Sequence, residues 1–250
     1  RQLNTVWSLG GEAMYMQAND IETPGNYWGS YGHSKKDIGR LNLYGNLEGN
    51  LNAQTIRINP YYTSEDVIDY TDNTDDGFGS FKRQIQEYGY KMQDIISLGK
   101  LNLLVGTDLD IHDYKSERFE DKATPTNPYT PNHKNSKAAA FSQLSYTNKE
   151  LTINAGARFD YITYSIAQND SLNGTGGKEN FNAFNPSVGA QYTFPFNLKL
   201  HTSFGTAYSV PDAFKVAGYY SVSEYFADWD FWWTNSYIGN PDLKPEKSAT

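Results

Sequence analysis

Apolar and polar residues alternate along this chain with a period of two, most plainly from Leu151 to Tyr161. In an extended backbone Leu151, Ile153, Ala155, Ala157, Phe159 and Tyr161 share one face, and Thr152, Asn154, Arg158 and Asp160 share the other. The same alternation predicts strands over 3–16, 38–49, 52–63, 83–97, from 101 onward, and over 138–147, 151–164, 182–194 and 198–208. A further strand is expected to begin near Lys247. Each strand then has one face in an apolar medium and one in a polar medium.

A soluble sandwich produces that pattern too, so the connections have to separate the cases. They alternate throughout between long, polar, Gly/Asn/Pro-rich loops and tight turns such as Gly49-Asn50, Leu98-Gly99-Lys100, Asn148-Lys149 and Pro195-Phe196-Asn197. Short turns make neighbouring strands antiparallel. Short turns at one end and long loops at the other predict an all-β, antiparallel up-and-down transmembrane β-barrel, whereas Greek-key sandwiches mix connection lengths at both ends. Many tyrosines fall near predicted strand ends, where amphipathic rings line the two membrane interfaces. The competing explanation is that tyrosine simply forms strands well.

Composition agrees with strands of two characters. The 250 residues are 38% hydrophobic with a mean hydropathy of −0.68, yet they include 20 tyrosines and no cysteine. No run approaches the ~18 apolar residues of a spanning helix, but a barrel strand needs only about 9–11, apolar at alternate positions. A net charge of −8 argues against a nucleic-acid partner. Without cysteine there is neither a disulfide framework nor a thiolate metal site in these residues. The chain starts without Met and stops at a strand start, which predicts a piece of something longer.

Two motifs narrow the class. A strand ending Gly205-Thr206-Ala207-Tyr208-Ser209-Val210-Pro211 is followed by Gly239-Asn240-Pro241-Asp242-Leu243-Lys244-Pro245-Glu246. Together they resemble the barrel motifs of TonB-dependent outer-membrane receptors. The second motif matches fully; in the first, Tyr208-Ser209-Val210-Pro211 stands where the family often has an aromatic-Arg-Ala-Pro run. The stretches 102–114, 138–164 and 181–194 resemble the family's strands as well. The resemblance implies that residues 1–250 form part of one barrel domain of about 22 strands, with the plug and terminal strands absent. It implies a protein integral to the cell outer membrane, long loops extracellular. Such a receptor imports a scarce metal chelate, a ferric siderophore first, by TonB-coupled transport. Haem or cobalamin import, or a passive porin or adhesin barrel, are the alternatives. The implied partners are the TonB complex through the missing plug, the metal-chelate ligand, and outer-membrane lipid and lipopolysaccharide. No enzymatic chemistry is expected: no Ser/His/Asp arrangement, phosphate-cradling glycine motif or catalytic carboxylate pair stands out.

Candidate contact residues follow from chemistry. The stretch 219–237 holds Tyr219, Tyr220, Tyr225, Phe226, Trp229, Phe231, Trp232, Trp233 and Tyr237 in what reads as a long loop. Dense exposed aromatics usually bind something, and Tyr219, Tyr220, Tyr225, Trp229, Trp232 and Trp233 are the candidate ligand-binding set. Packing on the plug or on neighbouring loops is the competing role. Arg57 and Arg158, on polar faces, are candidates for the plug or an anionic chelate. Asp72 and Asp76 lie in an acidic loop with the oxygen-rich character calcium prefers, though Arg83 stands where an EF-hand would place its closing Glu; a solvated loop is the competing reading. No other cofactor is expected. The four histidines, His33, His112, His133 and His201, are scattered, and none lies in 202–250, where a haem receptor would place one.

Overall fold

The computed structural model describes residues 2–23, 34–71, 77–211, 215, 219–226, 229–240 and 242–250. Five long antiparallel strands come first: β1 (Trp7–Thr23), β2 (Ser34–Leu51), β3 (Gln54–Tyr70), β4 (Gly79–Leu98) and β5 (Leu101–Phe119). A two-residue strand, β6 (Pro125–Thr126), folds back on the end of β5. The meander resumes with β7 (His133–Asn148), β8 (Leu151–Ile166), β9 (Gly177–Thr193) and β10 (Lys199–Ser209). A ribbon of β11 (Tyr219–Phe226) and β12 (Phe231–Ile238) forms a sheet of its own, and β13 (Glu246–Ala249) pairs with β10. Among the described residues the main sheet runs from β1 to β13 without closing on itself.

The short connections lie at one end, and each is turned by a residue in the left-handed region: Asn52, Gly99, Lys149 and Asn197. Positive φ is what a tight hairpin needs to match the twist of its strands.

Burial confirms the two faces and inverts the usual order. The apolar residues are the exposed ones: Phe184 is 65% and Leu200 63% accessible, with Ile153, Phe159 and Val188 beside them. On the opposite face of β8, Asp160 is 1% and Ile162 4% accessible. A sheet that exposes its apolar face and shields its charged one suits lipid outside and a polar interior. The polar face is called inner below.

The strands outrun the sequence prediction at the long-connection end. Residues 64–70 and 79–81, expected in a loop, extend the β3–β4 ladder, with one register shift between Asp69 and Tyr70. There Arg40 pairs with Glu65, and Arg83 lies 3.4 Å from Asp69. Eight of the strands run to 16–20 residues, well beyond the 9–11 needed to cross a bilayer.

In mid-sheet, Pro60 brings no N–H to the β2–β3 ladder, and the pairing lapses between Tyr44↔Tyr61 and Leu47↔Ile58. Gly45 accepts the proline ring: a Cβ there would sit 2.9 Å from Pro60 Cγ.

The β9–β10 ladder ends at Gly205↔Ser187, after which β10 pairs only with β13. Phe204 remains on the exposed apolar face, whereas Tyr208 and Val210 turn onto an inner-face cluster of Ile162, Tyr164, Ile166 and Phe181. Leu243, from the second motif, packs there too. Both motifs thus anchor one small apolar core; Pro241 of the second lies outside the described residues.

Candidate functional site

Two groups of candidate residues stand apart. The aromatic set is carried mostly by the β11–β12 ribbon, paired from Tyr219↔Ile238 to Phe226↔Phe231. Both segments are rich in aromatic residues with strong strand propensity, and the stretch expected as a loop is therefore ordered as a hairpin. Asp230 turns it at φ 49° and accepts a 2.7 Å hydrogen bond from the Tyr225 hydroxyl. That bond, with a smaller contribution from desolvation, raises the Tyr225 pKa. The Tyr225 and Trp232 rings lie 5.0 Å apart, and Trp229 stacks on Phe226 at 6.4 Å. Every residue of β12 is exposed, Trp232 by 64%, and Trp229 by 79%. Trp233 projects from the face opposite Trp232, across from Glu224. Tyr219 and Tyr220 begin β11, their backbones paired with Ile238 and Tyr237.

Two polar contacts tether the ribbon to the sheet. Arg118, near the end of β5, lies 3.3 Å from Glu224 while its guanidinium covers Tyr129 at 4.4 Å; Phe81 meets Tyr129 edge-on at 5.1 Å. Asn173 Nδ2, beside the 3-10 turn Asp170–Leu172, donates to Ser221 Oγ at 3.4 Å. The ribbon therefore sits at the long-connection end, near β5 and the β8–β9 link.

The second group lines the inner face. Arg158 donates to Asp108 at 2.7 Å and, through Nε, to both oxygens of Asp160 at 3.0 and 3.1 Å. Lys137 adds a contact to Asp160 at 3.5 Å. Arg57 is bound 2.8 Å from Glu48, close to the β2–β3 turn, so the two arginines belong to separate clusters. Arg158 is already held by two carboxylates.

A cleft of about 750 Å³ surrounds Arg158 and takes in Glu87, Asp110, His112, Asn135 and Tyr208. A second, about 640 Å³, shares Glu87 and Asp110 and adds Glu12, Tyr44, Tyr61 and Lys91. Asn135 Oδ1 and Thr206 Oγ1 border the first cleft, shielded from solvent and, among the described residues, without a hydrogen-bond partner. Buried unpaired polar atoms are costly. With more carboxylates than cations, this wall suits a surface offering hydrogen-bond donors and positive charge better than an anionic chelate.

The structure also joins residues that looked scattered. His133, expected in a loop, opens β7 and stacks on Tyr114 at 4.7 Å, with its ring 6.0 Å from that of His112. His112 in turn contacts Glu87 at 2.9 Å. Among the described residues no three His, Cys, Asp or Glu side chains are grouped to hold a metal. Asp72, Asp76 and His33 lie outside the described residues.

The family model for the TonB dependent receptor-like beta-barrel matches residues 1–250. The chain belongs to this family. Its barrels are outer-membrane proteins. Among solved structures, the ferric yersiniabactin uptake receptor FyuA from Yersinia pestis aligns with TM-score 0.60 at 14% identity, over 87% of this chain and 39% of that one. The ferric citrate transporter FecA, in its unliganded form, aligns with TM-score 0.58 at 14% identity, over 82% of this chain and 34% of that one. The copper transporter OprC aligns with TM-score 0.55 at 12% identity, over 85% and 42%. At these identities the likeness is one of fold, and the receptor barrel here spans less than half the length of each. No curated protein sequence matches it.

Proposed function

We propose that the protein carrying this barrel imports a scarce metal chelate, a ferric siderophore, across the outer membrane by TonB-coupled transport, and performs no chemistry on its cargo. The observation that carries this reading is the aromatic ribbon at the long-connection end of a barrel of this receptor family. Its exposed Trp229 and Trp232 offer planar, apolar surface to a bulky chelate. Two of the structural neighbours are described by ferric-chelate cargo, as an uptake receptor and a transporter, which supports the choice of substrate class.

In this reading the long connections are extracellular and the ribbon captures the ligand. The acidic inner wall around Asp160 and Asp110 seats a plug through groups that pair Asn135 and Thr206. An energised TonB complex then moves the plug and releases the cargo inward. Asp72 and Asp76 hold calcium in this reading, and ligand-affinity measurements with and without a calcium chelator test that site.

The test is uptake of labelled ferric siderophores, haem and cobalamin by cells carrying the intact gene, with and without TonB. High-affinity uptake of a ferric siderophore that vanishes without TonB supports the proposal; uptake indifferent to TonB identifies a passive pore and overturns it. Alanine at both Trp229 and Trp232 should weaken ligand affinity at least tenfold, since each aromatic contact contributes on the order of 1 kcal/mol. Unchanged affinity removes the ribbon from the binding site. Haem is the second reading, favoured by the approach of His112 and His133; haem alone showing TonB-dependent uptake would select it.

A further inference from the structure

The two motifs that fasten the inner-face core also mark a break in the wall. Leu198, Leu200, Phe204, Tyr208 and Val210 occupy even positions of one alternating run. An uninterrupted strand would keep all of them on the lipid face. Instead Phe204 stays outside and exposed, while Tyr208 and Val210 pack inward on Ile162, Tyr164, Ile166 and Phe181. The change of side falls where the β9–β10 ladder stops, at Gly205↔Ser187.

The next pair in that register is Thr206 with Pro186. Pro186 remains paired with Ala157 of β8 but has no N–H to offer β10. Beyond it, among the described residues, no strand pairs with the second edge of β9 from 177 to 186. A gap of about 440 Å³ opens there, with Ala183, Phe184 and Asn185 on one side and Thr206, Ala207 and Tyr208 on the other. Phe184 stands in the exposed apolar row, so this part of the free edge lies at membrane depth. Unpaired backbone groups are costly there. A proline does not by itself end pairing in this wall: the β2–β3 ladder lapses beside Pro60 and resumes at Tyr44↔Tyr61. The β9–β10 register carried past Pro186 gives Ala207↔Asn185, Tyr208↔Phe184 and Ser209↔Ala183. It also returns Tyr208 to the lipid face, beside Phe204.

We propose that residues 206–210, with Leu243, form a latch with two positions: docked on the inner-face cluster, as in this structure, or drawn outward to continue the β9–β10 ladder. The docked position buries Tyr208, Val210 and Leu243 against the cluster; the outward one pairs the free edge of β9. The latch acts on two places at once. Thr206, Ala207 and Tyr208 also wall the cleft around Arg158, whose shape changes when they leave. Both legs of the ribbon run into the latch, one after Val210 and one before Leu243, and the Asn240 N–H ties them by donating to the Lys215 carbonyl at 2.8 Å. Drawing the latch outward therefore pulls on the ribbon and breaks its Arg118–Glu224 contact. Coupling of this kind is reciprocal, so freeing the ribbon favours the outward position.

The test uses the full-length protein in a cysteine-free background, folded in detergent and exposed to a mild oxidant. Ala207→Cys with Asn185→Cys lies directly opposite only in the outward register. Ala207→Cys with Ala183→Cys borders the same gap out of register. Thr202→Cys with Ala190→Cys, opposite in the present ladder, sets the rate for an established pair. The first pair should cross-link at least about tenfold faster than the second, because a disulfide needs the close approach of directly opposed positions. Pro186→Ala restores a donor and should speed the first pair about fivefold. Arg118→Glu frees the ribbon and should speed it at least about fivefold. The cross-link between 185 and 207 should expose 219–238 to protease, and reduction should restore protection. If the first pair fails to fold, Ser209→Cys with Ala183→Cys is a second in-register pair and must behave as the first was expected to. Equal rates in and out of register, no in-register cross-link, or a rate unmoved by Pro186→Ala each overturns the two positions. A cross-link that leaves the ribbon protected, or a rate unmoved by Arg118→Glu, overturns the coupling to the ribbon.

Discussion

Replacing Arg158 by Met removes the cation that serves two carboxylates while keeping much of the side-chain volume. Asp160, 1% exposed, loses both Nε hydrogen bonds and keeps Lys137 at 3.5 Å as its remaining cation. Asp108 loses its 2.7 Å partner but can rehydrate, being 22% exposed. Stripping one member from a fully buried ion pair costs about 3–5 kcal/mol. Arg158 is itself 32% exposed, and Lys137 remains, so solvent screening lowers the expected loss to about 2–3 kcal/mol. The assay is reversible denaturant unfolding of the full-length protein in vesicles, for Arg158→Met, Asp160→Asn and the double variant. Asp160→Asn keeps the shape and removes the charge that needs neutralising, so it should recover about 1–2 kcal/mol of the Arg158→Met loss in the double variant. A loss below about 0.5 kcal/mol for Arg158→Met, or strict additivity in the double variant, would refute the claim that Arg158 stabilises the wall by neutralising Asp160.

Three other outcomes are expected. Gly45→Ala should destabilise the barrel by about 1–3 kcal/mol by crowding Pro60, whereas Gly39→Ala, with nothing within 4 Å of its Cβ, should be nearly neutral in the same unfolding assay. Arg118→Glu should free the ribbon and make 219–238 a preferred proteolysis site, and Glu224→Arg in the same chain should restore protection by re-forming the tether with its charges exchanged. The Asp121 carboxyl accepts from the backbone N–H of Ala123 and also bonds Thr124, which holds it below its usual range. A depressed carboxyl contributes stability above the unfolded value near pH 4 and loses it as pH falls through the folded value. Limited proteolysis should therefore nick 120–124 faster in Asp121→Ala than in the parent at pH 7, with the difference disappearing in acid.

The membrane-crossing part of the fold was legible because one face of each strand meets lipid. The run from Leu151 to Tyr161 can be read as a strand from its residues alone, and its two faces are the ones observed. Toward the long-connection end neither face meets lipid, so alternation fades: Glu65, Asp66 and Asp69 read as loop, yet they are held by a ladder to β4 and by cross-strand ion pairs. The ribbon was hidden for a related reason. Aromatics on both of its faces leave no period of two to detect, and the Asp230 turn carries no glycine. Arg158 and Asp160 were visible as same-face neighbours two residues apart. Asp108, fifty positions away in sequence, was not, nor was the Arg118–Glu224 tether, whose partners are 106 apart.

The length of the ladders has a mechanical consequence. β4 and β5 are paired at eighteen consecutive positions, from Phe81↔Arg118 to Leu98↔Leu101. A pull directed along the strands loads all of those bonds together, in shear, so that none can yield alone. A pull directed across them would open the seam one pair at a time, like a zip. Strands tilted about 40° from the membrane normal turn most of an axial tug into the first kind of load. The wall can therefore stay rigid under an axial load.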